Sequence, residues 1–248
     1  FVSVADNALH NAVTTTAAIS INGVAGMSVT GNTIENTTTI DGNGIEGITS
    51  AAVGSWVIAN NRIAADDDGI KISITGSGAL TGLSIVGNAV YTATITATEH
   101  PINIVTATTA TVTQVSIVGN VLRRADDAGP TVRLNGAGGA ISQVTALGNV
   151  LTNGDYGFSL TLVTSFQHSH NTFNSISTEQ ITGTFTRTGH TGWIPIPLSV
   201  WREVVTNDIA DATAGATDGS GGVLATDTTP AYEYINGATD KGHRILWA

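Results

Sequence analysis

A short repeated segment constrains the fold of this chain more than any other feature. The sequence Ser-Ile-Val-Gly-Asn occurs at residues 84–88 and again at 116–120, and two apolar residues follow each copy. Weaker copies lie on both sides, each with an asparagine at the equivalent place. These asparagines are Asn7, Asn32, Asn61, Asn88, Asn120, Asn149 and Asn171, spaced 25, 29, 27, 32, 29 and 22 residues apart. Self-similarity at this period indicates a solenoid in which each repeat stacks on its neighbours.

The residues within one repeat indicate short strands joined by sharp corners. Ser-Ile-Val is a β-branched run, and the Gly-Asn pair that ends it readily adopts positive φ. A second strand of alternating apolar and polar residues follows each asparagine, and the apolar 3.6-residue period typical of a helix is missing. The second strands are predicted at residues 44–48, 69–74, 101–105, 130–134 and 156–160. We therefore predict an all-β fold, a right-handed single-stranded parallel β-helix, over residues 1–187.

The composition changes after the last asparagine of the series. Residues 189–197 carry two of the five prolines of the chain, which favours an extended linker at residues 188–198. From residue 199 to 248 we predict the start of an antiparallel, β-sandwich-like domain. The chain opens on a strand-like segment without a methionine and closes on an aliphatic strand that would leave a bare edge. We therefore expect a piece of a longer polypeptide, with the second domain incomplete.

Stacking of the coils predicts a structural role for the asparagines. Equivalent residues of successive coils lie about 4.8 Å apart, so each amide can hydrogen-bond to the next one in the column. The predicted ladder consists of Asn32, Asn61, Asn88, Asn120 and Asn149. Aliphatic residues beside the ladder are expected to fill the bore, the interior of the coils. Examples are Val29, Ile85, Ile117 and Leu147.

The composition also excludes several classes of function. With nine Lys and Arg and a net charge of −10, the chain lacks the basic face that nucleic acid requires. The absence of cysteine rules out disulfides, thiolate catalysis and Cys-zinc sites. His168 and His170 are expected on one strand face but have no third ligand nearby, so neither a metal site nor a cofactor is predicted. No apolar stretch approaches the roughly 20 residues of a membrane span, so membrane insertion is not expected.

Two acidic loops are the sharpest candidates for catalysis. Aspartates at 66–68 and 126–127 follow their asparagines at nearly the same distance, which places them in the same loop two coils apart. Two coils span about 10 Å, close to the roughly 6.5–9.5 Å between the carboxyl groups of inverting glycosidases. Asp67 and Asp126 are therefore the catalytic candidates. A repeated turn is the competing interpretation, because Ala-Asp-Asp before glycine is ordinary turn chemistry, and a calcium site at 66–68 is a further alternative.

A polar column is expected along the second strand of each coil. Its members are Glu46, Lys71, Asn103, Arg133 and Ser159. We expect Glu46 and Lys71 to form an exposed ion pair worth up to about 1 kcal/mol. The column is interpreted as a solvated face, with a sugar-binding stripe as the alternative. Aromatic residues, the usual platforms for sugars, make up only 5% of the chain, and Trp56 is expected in the core.

Several segments together resemble the tail-spike and fibre proteins of tailed bacteriophages. They are the repeated Ser-Ile-Val-Gly-Asn coils, Trp-Arg-Glu-Val at 201–204, Gly-Gly-Val-Leu-Ala-Thr-Asp-Thr-Thr-Pro at 221–230 and Ile-Asn-Gly-Ala-Thr-Asp-Lys at 235–241. The resemblance implies a parallel β-helix ahead of a C-terminal β-sandwich, a homotrimer, and a location on the virion beside other virion proteins. It also implies binding or cleavage of host surface polysaccharide. The β-helix part is shared with pectate lyases and many adhesins.

Three functions are compatible with these features. We favour a structural virion protein, a spike or fibre segment that attaches to glycans of the host surface, without enzymatic activity. The alternatives are a polysaccharide lyase or hydrolase on the same scaffold and a secreted bacterial adhesin. A homotrimer with contacts at and beyond the linker is expected, because aromatic side chains concentrate there, and a monomer whose aromatics cover the last coil is the alternative. The aromatics concerned are Phe166, Phe173, Phe185, Trp193 and Trp201.

Overall fold

Regular secondary structure in the described part of the chain is entirely β, with no helix. The computed structural model describes residues 1–10, 17–37, 42–93, 97–136, 138–187, 233–235 and 244–246. The chain divides into two compact units, Phe1–Thr191 and Gly192–Ala248. The strands of the first unit are β1 (Val2–Ala5), β2 (Ala8–His10), β3 (Ile19–Asn22), β4 (Met27–Thr30), β5 (Thr33–Asn36), β6 (Ile45–Thr49), β7 (Ala52–Ala59), β8 (Arg62–Ala65), β9 (Ile70–Ile74), β10 (Ala79–Val86), β11 (Ala89–Thr92), β12 (Ile102–Thr106), β13 (Thr111–Val118), β14 (Val121–Arg124), β15 (Val132–Asn135), β16 (Ala140–Leu147), β17 (Val150–Ser169) and β18 (Thr172–Arg187).

Parallel pairing between every third strand organises the first unit into stacked coils. The first face contains β1, β4, β7, β10, β13 and β16, and the second contains β2, β5, β8, β11 and β14. The third face contains β3, β6, β9, β12 and β15. The long β17 pairs in turn with β14, β15 and β16, and β18 pairs with β17 along most of its length. This arrangement, with three parallel faces and one coil on the next, is consistent with a β-helix.

The stacking places equivalent side chains directly over one another. Ile58, Ile85 and Ile117 are paired in register on the first face, and all three are fully buried. Trp56 lies in the same core without exposed surface, and its Nε1 donates a hydrogen bond to the Val24 carbonyl at 3.2 Å. A large indole fits this interior because its single polar atom has an acceptor. The bore is therefore a continuous apolar column, filled by the side chains of alternate residues of each strand.

Leu147 does not fill the bore, in contrast to the sequence-based expectation. Its side chain is 38% exposed, whereas Ala146 is fully buried. The register pairs Ala146 with Ile117 and Leu147 with Val118, so the inward residue is the third before the ladder asparagine and not the second. Side chains of a strand point alternately inward and outward, so choosing Leu147 in place of Ala146 selected a residue of the outer surface.

A left-handed residue forms the corner before each ladder asparagine. All seven have positive φ: Asp6 (56°), Gly31 (68°), Asn60 (55°), Gly87 (67°), Gly119 (65°), Gly148 (64°) and His170 (54°). Glycine adopts this conformation without strain, and Asn, Asp and His tolerate it better than other residues. The corner conformation is therefore the physical reason that the repeat so often has glycine before asparagine.

The expectation that His168 and His170 share one strand face is wrong, because His170 occupies one of these corners. β17 ends at Ser169, so His170 lies in the turn and does not share a strand face with His168. The His168 ring stacks on Phe166 with centroids 5.5 Å apart. Among the described residues, no group of three or more metal-ligating side chains is placed to hold an ion.

Gly119→Val should lower the free energy of unfolding by about 1–2 kcal/mol, because a β-branched side chain opposes the left-handed conformation. A Cβ at this position would meet no atom within 4 Å, so the cost is conformational and not steric. Gly119→Asn is the matched control and should cost clearly less, since Asn60 holds the equivalent corner at φ 55°. Urea unfolding followed by circular dichroism compares the two. Equal losses for both variants would contradict this explanation of the corner.

Four phenylalanines pack edge to face in the last coils of the first unit. The ring centroids of Phe158 and Phe166 are 5.7 Å apart, those of Phe158 and Phe173 are 6.0 Å apart, and those of Phe166 and Phe185 are 5.7 Å apart. Phe166 is fully buried in its own chain. These rings extend the bore with aromatic contacts, so Phe166 is not available to a subunit interface.

The second unit, Gly192–Ala248, contains one described element pair. β19 (Glu233–Ile235) and β20 (Arg244–Leu246) are antiparallel neighbours. The predicted linker at 188–198 lies outside the described residues, as do Trp193, Trp201 and most of the domain predicted at 199–248.

Candidate functional site

The asparagines form a continuous column of hydrogen bonds along the solenoid. From Asn7 to Asn149, each Nδ2 donates to the Oδ1 of the next asparagine at 2.9–3.0 Å. The same Oδ1 also accepts the backbone N–H of the preceding asparagine at 2.9–3.0 Å. The five members predicted for the ladder are buried: Asn32, Asn61, Asn88, Asn120 and Asn149. Because these amides bond to one another, the column is structural and presents no ligand site.

The two catalytic candidates lie at one corner of the stack, after β8 and β14. The strand between them is β11, since Ala65, Thr92 and Arg124 are aligned in register. Asp126 Oδ1 accepts a hydrogen bond from Arg124 Nη2 at 3.2 Å. Arg124 is fully buried and also donates to the Glu99 carbonyl. The carboxylate of Asp126 therefore neutralises a buried cation, a structural role that competes with catalysis, while Asp67 remains half-buried at the same corner.

Asp68, next to Asp67, belongs to a buried network and not to a calcium site. Its Oδ1 accepts the His100 backbone N–H at 2.8 Å, and its Oδ2 accepts Asn103 Nδ2 at 2.8 Å. The Lys71 ammonium lies 3.6 Å from the same Oδ2. Both carboxylate oxygens thus face protein donors, which leaves this side chain poorly placed for a hard cation.

Lys71 pairs with Asp68 and not with Glu46, so the expected ion pair between Glu46 and Lys71 is wrong. Glu46 does lie beside Lys71 in the register of the third face. Asp68, however, is 1% exposed, and a charge removed from water attracts a nearby cation more strongly than an exposed one does. Asn103, the next member of this polar column, is buried as well, so the column does not present an open stripe to a ligand.

Burial shifts the pKa values of two groups in this network in opposite directions. Loss of hydration raises the pKa of the Asp68 carboxyl to about 7, although the hydrogen bond from Asn103 opposes the shift. Loss of hydration likewise lowers the pKa of His100 to about 3, because it disfavours the charged imidazolium. His100 Nδ1 donates to the Pro130 carbonyl at 2.9 Å, so the neutral ring carries its proton there. The network is enclosed, and we assign it to folding and not to substrate binding.

An accessible concave site lies elsewhere, on the outer surface of the second face. A groove of about 490 Å³ crosses strands β2, β5, β8, β11 and β14 there. We call it the second-face groove. The side chains that give it its chemical character are His10, Glu35, Arg62, Tyr91, Val121 and Arg123.

Two alanines create the space of the second-face groove. Ala64 lies between Glu35 and Tyr91 in one outward column, and Ala89 follows Arg62 in the other. Small residues beneath larger neighbours leave a depression in an otherwise regular sheet surface. Because all of these residues stand on paired strands, the walls of the groove are held by the backbone ladder and not by loops.

An aromatic platform and two cations line the second-face groove. The Tyr91 side chain is 38% exposed, and the Arg123 guanidinium lies 5.7 Å from the centre of its ring. This cation–π contact orients both groups. Glu35 Oε2 accepts a hydrogen bond from His10 Nδ1 at 3.1 Å, so the carboxylate in the groove lining already has a partner. The arrangement thus places a partly exposed aromatic ring and two guanidinium groups in the lining of one groove.

Sequence reasoning missed the second-face groove, although a signal for it existed. The groove residues occupy the first and third positions after the ladder asparagines. The third positions are His10, Glu35, Ala64, Tyr91 and Arg123. Comparing these outward columns between repeats would have placed Tyr91 beside Arg123 above a gap at Ala64. The polar column that we predicted from the sequence lies on a different strand of each coil, the one that carries Lys71 and Asn103.

No protein-family model, curated protein or solved structure matches the chain. Across the residues that the structure describes, no helix has both the length and the apolar character needed to cross a membrane.

Proposed function

We propose that this chain is a glycan-attachment protein of the bacteriophage tail-spike or fibre type, and that it binds host surface polysaccharide in the second-face groove. The observation that carries the proposal is the exposed Tyr91 ring, which lines the groove together with Arg62, Arg123 and the small residues Ala64 and Ala89. In this proposal the protein is located on the virion, outside the cell, beside other virion proteins.

A polysaccharide suits the chemistry of the groove. The apolar face of a sugar ring packs on an exposed aromatic ring, while its hydroxyl groups accept hydrogen bonds from guanidinium groups. Concave sites with a few oriented polar groups are the usual form of ligand sites. The groove also crosses five consecutive coils, and such an extended surface favours an extended polymer over a compact ligand.

The finer architecture forms part of the same proposal. We take the coil to be right-handed and single-stranded, because connections between parallel strands of one sheet are right-handed in about 98% of cases. A C-terminal β domain and a homotrimer joined at and beyond residue 188 complete the proposed attachment protein. Closed symmetry would present three copies of the groove, which strengthens attachment to a repetitive surface.

Tyr91→Ala should weaken glycan binding about tenfold, because it removes the apolar platform but leaves the strand ladder intact. The measurement is an array of bacterial capsular and lipopolysaccharide glycans probed with the full chain. Tyr156→Ala is the control, since Tyr156 lies outside the groove lining and should leave binding unchanged. Equal binding by wild type and Tyr91→Ala would contradict the proposal.

Depolymerisation of the glycan is the second candidate function. The observation that favours it is the placement of Asp67 and Asp126 at one corner, two coils apart. Size-exclusion chromatography of the bound glycan after incubation tests it directly. Shortening by wild type but not by an Asp67→Asn, Asp126→Asn double variant would replace attachment by hydrolysis or lyase chemistry as the function.

A further inference from the structure

We propose that the glycan held in the second-face groove is acidic, and that Arg62 and Arg123 bind its carboxylate groups beside the Tyr91 ring. This inference rests on the proposed function and specifies the substrate class of the same site. Its support is the position of the two arginines, the lack of a carboxylate partner for either of them in the described part of the chain, and the overall charge of the chain.

The three side chains stand on consecutive coils. Arg62 is on β8, Tyr91 on β11 and Arg123 on β14, and neighbouring strands lie about 4.8 Å apart. Arg123 follows Tyr91 in the same outward column, and Arg62 belongs to the neighbouring outward column, two residues along the strand. A saccharide that runs along the solenoid axis over the Tyr91 ring would pass the first guanidinium directly and the second at the side of its path. The Arg123 guanidinium lies over the ring, 5.7 Å from its centre, and Arg123 is part of the groove lining.

Neither guanidinium has a carboxylate partner among the residues that the structure describes. Ion pairs in that part of the chain include His10 with Glu35, Lys71 with Asp68, and Arg124 with Asp126. Glu35 is thus the carboxylate within the groove, and it is already bound to His10. Arg62 and Arg123 are exposed cations that remain available to a ligand.

Because positively charged residues are scarce in this chain, two arginines in one groove indicate the charge of the ligand. The chain has nine Lys and Arg against nineteen Asp and Glu, yet two of the nine line one groove and have no carboxylate partner within the described ranges. A neutral glycan would need the Tyr91 platform and hydrogen-bond donors but no net positive charge. Guanidinium groups match planar carboxylates with two parallel hydrogen bonds, so an acidic sugar uses both features of the site. The net charge of −10 repels polyanions at long range, and binding must therefore come from these short-range contacts.

The test compares acidic polysaccharides with their own carboxyl-reduced forms. The probes are polygalacturonate, alginate, hyaluronan and heparosan, each before and after reduction of its carboxylates, together with dextran and single-stranded DNA. The full chain should bind at least one acidic polymer about tenfold more tightly than its reduced form. Arg62→Gln and Arg123→Gln should each remove most of that preference, whereas Arg123→Lys should retain part of it. Arg133→Gln, on the third face, is the charge-matched control and should change nothing.

Each outcome separates the two proposals. Equal affinity for the acidic and the reduced polymer, with binding still lost in Tyr91→Ala, would overturn the acidic class and leave glycan attachment standing. Binding to none of the polysaccharides, or binding that is indifferent to Tyr91 and to both arginines, would overturn both proposals. Binding of DNA as tightly as the best polysaccharide would show that the groove recognises anionic charge and not a sugar.

Discussion

Asn120→Ala should lower the free energy of unfolding by about 3 kcal/mol, among the largest effects expected for a single polar residue in this chain. The side chain makes four hydrogen bonds within the buried column. Its Nδ2 donates to Ile85 O and to Asn149 Oδ1, each at 2.9 Å. Its Oδ1 accepts the backbone N–H and the Nδ2 of Asn88 at 2.9 and 3.0 Å.

The size of the effect follows from what truncation leaves behind. Alanine would remove the acceptor of two Asn88 donors, its backbone N–H and its Nδ2, which are enclosed between coils where water does not replace it. Asn149 Oδ1 would lose one of its two donors and keep the backbone N–H of residue 120. A buried polar group without a partner costs about 1–3 kcal/mol, and two Asn88 donors lose an acceptor at once. The ladder thus links the energies of neighbouring coils, as nearest-neighbour coupling in repeat proteins requires.

Asn7→Ala is the matched control within the same column. Asn7 is exposed at one end of the described ladder, and water can replace its bonds to Asn32. Its loss should cost less than about 1 kcal/mol. Urea denaturation followed by circular dichroism compares the two variants with wild type. A similar small effect for Asn7→Ala and Asn120→Ala would mean that the ladder does not hold the coils together.

Asp68→Asn should make the stability of the protein fall on acidification below about pH 6.5, a dependence that wild type largely lacks. His100 has a pKa of about 3 when folded and 6.5 when unfolded. The unfolded state therefore binds more protons between these values, and stability is lost as pH falls through this window. Asp68 has a pKa of about 7 when folded and 3.8 when unfolded. The folded state binds the extra proton there, so this group adds stability as pH falls.

The two contributions oppose each other in wild type from about pH 4 to about pH 6.5. Removing Asp68 exposes the slope of His100, on the order of 1 kcal/mol per pH unit. His100→Gln should expose the reverse slope, with stability rising as pH falls from about 7 to about 4. Unfolding free energies measured across this range give both slopes. If the free energy of unfolding changed with pH in the same direction in both variants, Asp68 and His100 would not make opposing contributions.

The fold could be predicted from the sequence because its rules are local and repeated. A residue that tolerates positive φ and a ladder asparagine recur in every coil, and a β-branched run precedes them in most coils, so Gly87 and Asn88 carry the same information as Gly119 and Asn120. The bore was predicted for the same reason. The error at Leu147 arose where its repeat departs from the Ser-Ile-Val pattern and puts alanine at the inward position.

Side-chain partners and the groove could not be obtained in the same way. Lys71 forms its ion pair with Asp68 and not with Glu46 because Asp68 is buried. The burial of Asp68 depends on how its corner loop packs against the neighbouring coils, which the sequence of one repeat does not reveal. The second-face groove depends on small residues, Ala64 and Ala89, beside large ones from other coils. Repeats of 22 to 32 residues conceal that alignment until the register is known.

The most direct test of the account is a crystal structure of the full chain with an oligosaccharide taken from a polymer that it binds. We expect the sugar to lie in the second-face groove, with one ring packed on Tyr91 and its acidic groups at Arg62 and Arg123. A sugar bound at the corner beside Asp67 and Asp126, with the groove empty, would contradict glycan attachment at the second face and favour the enzymatic alternative.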